Sequence, residues 1–118
     1  MGLKSLELCV NVGYACNFTC AHCGVADKRK RSLSAEEMSR IVNTIDRFKI
    51  RSLVFVGGEP TLYINEINRI LSRIDGLDRV AVRIITNGHF ATDEKAADTV
   101  LSKFLRINKV DLSYDKFH

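Results

Sequence analysis

Two periodicities alternate along this chain, and their order leaves few folds open. Residues 6–12 alternate with period two, so that Leu6, Leu8, Val10 and Val12 share one face and Glu7, Cys9 and Asn11 the other, as a strand with one buried face requires. Ser34 and Glu37 then form a capping box, the hydroxyl accepting from a free backbone N–H while the carboxylate reaches back. Met38, Ile41, Val42, Ile45 and Phe48 follow at helical spacing, one apolar stripe for packing on something flat. Residues 52–56 are a short β-rich apolar run that reads as a parallel strand covered on both faces. Ile64, Ile67, Ile70, Leu71 and Ile74 mark a second helix, and residues 80–85 a third strand. Thr92 is placed to cap a third helix whose first turn holds Asp93 and Glu94 and whose stripe is Ala97, Val100, Leu101, Phe104 and Leu105. Residues 109–113 are a fourth strand.

The resulting order, β-α-β-α-β-α-β, predicts an α/β fold: three right-handed crossovers building a parallel sheet with its ligand edge at the strand C-termini. With 118 residues, this is one domain. No apolar run approaches the roughly 20 residues of a membrane span, and the first residues lack the apolar core of a signal peptide. A cytoplasmic protein with no membrane partner is expected. The net charge of +4 owes much to Lys28, Arg29, Lys30 and Arg31, a run read first as a solvated loop, and nothing here indicates nucleic acid.

Every segment of unusual composition falls at the end of a predicted strand. Cys16, Cys20 and Cys23 follow the first, spaced CX3CX2C. Three thiols within eight residues of a cytosolic chain point to a metal or cluster rather than to disulfides, and could grip three irons of a cubane, leaving one iron open. Gly57, Gly58, Glu59 and Pro60 follow the second strand: glycine admits close backbone approach to a ligand, proline fixes the exit of the turn, and Glu59 adds an acceptor. Thr86, Asn87 and Gly88 follow the third, and Ser113 ends the fourth. Cys9 reads as a buried packing cysteine, although its strand face could line a lumen. His89 and His118 carry no readable role.

The CX3CX2C loop after a first strand, the GGEP turn after the second and the TNG segment after the third resemble those of the radical S-adenosylmethionine (SAM) superfamily. The resemblance spans residues 6–118 and implies the first four strands of a partial (β/α)6 barrel. It implies a [4Fe-4S] cluster held by Cys16, Cys20 and Cys23, with SAM chelated at the open iron and cleaved reductively to a 5′-deoxyadenosyl radical that abstracts hydrogen from a substrate. It places the SAM ammonium at residues 57–60, gives Thr86, Asn87 and Ser113 SAM contacts, and puts His22 at a spacer position that is commonly aromatic, where it packs or faces SAM. No catalytic residue beyond the cluster and SAM is required. The basic run would suit an acidic electron donor such as a flavodoxin or ferredoxin.

Set against a six-stranded barrel, the sequence stops at the tip of strand four, so the single domain, residues 1–118, reads as a core truncated there. Two other readings stay open. Cys16, Cys20 and Cys23 with His22 or Cys9 would also serve a structural zinc site, and a half-barrel could bind cluster and SAM without turnover. The sequence names no substrate.

Overall fold

The computed structural model describes residues 6–13 and 33–113. Cys16, Cys20, Cys23, His22 and the run from Lys28 to Arg31 lie outside the described residues, as does His118. Among the described residues four strands, β1 (Glu7–Asn11), β2 (Ser52–Val56), β3 (Ala81–Thr86) and β4 (Lys109–Leu112), alternate with three α-helices, α1 (Ala35–Phe48), α2 (Ile64–Leu71) and α3 (Glu94–Leu101). The strands form one parallel sheet in the order β1-β2-β3-β4, with Val10 opposite Phe55, Phe55 opposite Ile84, and Ile84 opposite Val110.

Side-chain parity locates the helices. Leu8, Val10 and Val12, then Leu53 and Phe55, then Val82 and Ile84, then Val110 share one face of the sheet, and these residues form a single apolar cluster with Met38 and Ile45 of α1, Ile67, Ile70 and Leu71 of α2, and Leu101 and Phe104. All three helices therefore cover the same face, as they do when strands are added in sequence without a reversal of direction. β2, expected to be covered on both faces, has all three helices on one of them. Its second face carries Val54, which is buried, but the neighbouring positions on that face include exposed Glu7, Cys9 and Asn11.

The starts of α1 and α3 follow local chemistry. Ser34 makes the expected box, its hydroxyl accepting from the Glu37 N–H at 3.1 Å while Glu37 accepts from the Ser34 N–H at 2.9 Å. At α3 the cap is Asp93 rather than Thr92, its carboxylate accepting from the Ala96 N–H at 2.7 Å. The two apolar stripes also run one residue too far. Phe48, the last residue of α1 before the left-handed Lys49 (φ 52°), and Leu105, beyond the end of α3 at Leu101, are each 54% exposed. Phe48 lies under the Arg47 guanidinium, 5.4 Å from the ring centre. Among the described residues no helix is long and apolar enough to cross a membrane.

Candidate functional site

The exits of β1, β2 and β3 lie along one edge of the sheet and are bonded to each other. At the β1 exit, Val12 N–H donates to the Val56 carbonyl (3.0 Å), and Gly13 N–H donates to the Asn11 side-chain oxygen (3.1 Å). The Gly13 carbonyl then accepts from the Gly58 N–H at 2.8 Å. Gly57 sits in this contact with φ +133°, and a Cβ there would come within 2.6 Å of the Gly13 carbonyl and 2.8 Å of the Asn11 oxygen. The need for glycine is thus an approach of the chain to itself: β2 leaves the sheet against the backbone that leads towards Cys16. Asn11 and Gly13 were not singled out from the sequence. Their signal, an Asn two residues before a Gly at a strand end, fits an Asx-type turn.

Glu59 follows as the cap of a single 3-10 turn, Pro60–Leu62, with proline at its first position and the side chain accepting from the Thr61 N–H. Glu59 has no exposed surface. One carboxylate oxygen accepts from the Thr61 N–H at 3.2 Å and from the Thr61 and Thr86 hydroxyls; the other accepts from the Asn87 N–H at 2.9 Å. The acceptor expected beside a ligand's ammonium is therefore committed inside the fold. The same bonds draw the β3 exit to the β2 exit. Thr86, 1% exposed, also receives the Gly88 N–H at 3.2 Å through its hydroxyl and the Ser113 N–H at 2.7 Å through its carbonyl. Asn87 accepts from the His89 N–H at 2.8 Å. Hydrogen bonds thus connect Gly58 to Gly13, and Glu59 to Thr86, Asn87 and, through Thr86, Ser113. Pro60 is buried and Ser113 exposed.

The other end of the sheet's second face carries a charge network with one residue from every strand. Arg83 of β3 reaches past β2 to place Nη2 2.8 Å from Glu7 Oε1 of β1, and its Nη1 donates to Asp111 of β4. Ser52 of β2 donates to Glu7 Oε2 at 2.8 Å. Arg83, followed by Ser52, holds the Glu7 carboxyl below the ordinary carboxylate range. The Asp111 carboxyl is lowered chiefly by its bond to Arg83, and Arg83 is raised by Glu7 and then Asp111. Cys9, expected to pack inside, is an exposed free cysteine on this face.

A parallel sheet with helices on one face and bonded turns at the C-terminal strand ends defines an α/β protein of the partial-barrel kind. The sequence model of the radical SAM superfamily matches residues 10–115, and the chain belongs to that family. A GTP 3',8-cyclase of Stenotrophomonas maltophilia is 35% identical over 80 residues, covering 63% of this chain and 24% of that protein. The mycofactocin maturase MftC of Mycolicibacterium smegmatis is 28% identical over 96 residues, covering 80% of this chain and 24% of its own length. The crystal structure of Streptococcus suis SuiB bound to the precursor peptide SuiA matches with a TM-score of 0.58 and 27% identity, over 87% of this chain and 23% of SuiB. The chain thus spans about a quarter of the length of these relatives.

The family uses a [4Fe-4S] cluster and SAM. The donor chemistry fits: three thiol side chains at CX3CX2C spacing supply three ligands and leave a fourth iron for another molecule, and the chain enters that segment from the bonded edge at Gly13.

Proposed function

We propose that this chain is the cluster- and SAM-binding portion of a radical SAM enzyme, with Cys16, Cys20 and Cys23 holding three irons and the turns at residues 57–60 and 86–88 receiving SAM. The single observation that supports this most is the bonding of the three strand exits along one edge. Cys16 follows Gly13 by three residues, and three residues of chain reach at most about 11 Å, which supports assigning Cys16 and the glycine turn to one region. Bound there, the cluster would supply one electron to the SAM sulfonium, and the carbon radical released would abstract hydrogen from a substrate.

The residues of the chain itself bind and orient. Gly57 and Gly58 offer backbone without side chains beside Gly13, which suits a ligand whose amino group needs carbonyl acceptors. Thr86 and Asn87 keep the next turn in register with them, and Ser113 presents an exposed hydroxyl at the tip of β4. The substrate is an open choice among the chemistries of the relatives, and the basic run at residues 28–31 is our proposed docking point for an acidic electron donor.

The test is product analysis. Protein reconstituted anaerobically with iron and sulfide, reduced with dithionite and given SAM, should release 5′-deoxyadenosine and methionine, and the Cys20→Ser variant should not. Uptake of zinc in place of iron by the reconstituted wild type, with no SAM cleavage, would refute the reading.

A further inference from the structure

We propose that Glu59 is a positioning residue: its buried carboxylate fixes the spacing between the β2 and β3 exits, and it is not a direct ligand for the SAM ammonium. This rests on reading that edge as the SAM site.

The argument begins with burial. An acid with no exposed surface must be satisfied from within, and Glu59 is, by two backbone N–H groups and two hydroxyls. Those donors come from both sides of the edge, Thr61 in the turn after β2 and Thr86 with Asn87 at the end of β3. Three of the four donors fall on one oxygen and the Asn87 N–H alone on the other, so it is burial that keeps a ligand's ammonium away: with no exposed surface, the carboxylate is reached only if the turns around it open.

An ionised carboxylate also suits this site better than its isostere. It only accepts, at both oxygens, whereas an amide must donate at one end. The hydroxyls of Thr61 and Thr86 can rotate to accommodate an NH2 group, but the N–H groups of Thr61 and Asn87 cannot. They meet different oxygens of Glu59, so a glutamine in either orientation sets its NH2 against one of them. The consequence spreads through Thr86, which also carries the Gly88 and Ser113 amides. Whatever holds Thr86 therefore places the third turn and the tip of the fourth strand relative to the glycine turn.

Two measurements separate this role from direct ligation. The first is amide hydrogen exchange by NMR on the full chain without iron or SAM. Glu59→Gln should speed exchange at Thr61 or Asn87 by about tenfold or more, while Ile84 within β3 keeps its wild-type rate. The second is SAM affinity of the reconstituted chain, which should fall with the exchange protection. Should Glu59→Gln fail to fold, Thr86→Val and Thr86→Ser decide. Valine keeps the shape and loses the hydroxyl, so exchange at Asn87 should quicken and SAM bind several-fold more weakly; serine keeps the donor and should restore both.

Unchanged exchange at Thr61 and Asn87 in Glu59→Gln, with SAM affinity lost, would identify a direct ligand and overturn the proposal. So would a Thr86→Ser variant that behaves like Thr86→Val. Failure of the wild type to take up iron or SAM would sink the site reading instead, and the exchange rates would still decide whether Glu59 ties the two turns.

Discussion

Gly57 shows how a residue legible in identity can have a structural reason that the sequence does not display. The glycine pair and the proline announce a turn that no side chain can enter, and the sequence suggests that the space is kept for a ligand. The structure places the chain's own Gly13 carbonyl 2.6 Å from where a Cβ would stand. Gly57→Ala must therefore move the β1 exit as well as adopt a backbone conformation that L residues rarely take, at a cost of about 1–3 kcal/mol. A lower urea midpoint, together with reduced iron uptake on reconstitution, is the expected result. Wild-type values for both would show that the approach to Gly13 is dispensable. The bonds of Glu59 were hidden for a related reason. Its partners Thr86 and Asn87 lie 27 and 28 residues away, and no local pattern says that two turns will share one carboxylate.

At the scale of elements, periodicity located the four strands and three α-helices of the described residues but not where the helices stop. Nothing in the sequence marks Lys49 as a left-handed cap, a place where glycine is usual, and Phe48, counted in the stripe, is the exposed last residue of its helix. The charge network was hidden for another reason, since Glu7, Ser52, Arg83 and Asp111 meet only once four strands are in register. It makes a pH prediction. Carboxyls held below their unfolded values contribute stability that is present above those values, near pH 4, and is lost as pH falls through the lower folded values. Stability should therefore decline on acidification below about pH 5, and Asp111→Asn should decline less steeply. Both acids and Arg83 are about one-third exposed, so the difference should shrink in high salt. Denaturation midpoints across pH 3–7 check this, and identical slopes for wild type and variant would contradict it.

For the whole molecule, the alternation of strand and helix was enough to give a parallel sheet with its turns gathered at the C-terminal strand ends, because each βα unit carries its own periodicity and its own turn. Which face the helices cover was less legible: β2 is apolar on both sides, and only the order β1-β2-β3-β4 puts all three helices together. Membership of the radical SAM superfamily then gives meaning to the edge where Gly13, Gly58, Glu59 and Thr86 are joined. The central claim is that this edge is the floor of a site for a cluster with one open iron. Iron and sulfide analysis of the anaerobically reconstituted chain, with the electron paramagnetic resonance spectrum of its reduced form recorded before and after SAM is added, tests it most directly. The account predicts about four irons per chain, a spectrum that changes on adding SAM, and loss of both when Cys16, Cys20 and Cys23 are replaced by serine. A chain that takes up no iron, or a cluster whose spectrum ignores SAM, would contradict it.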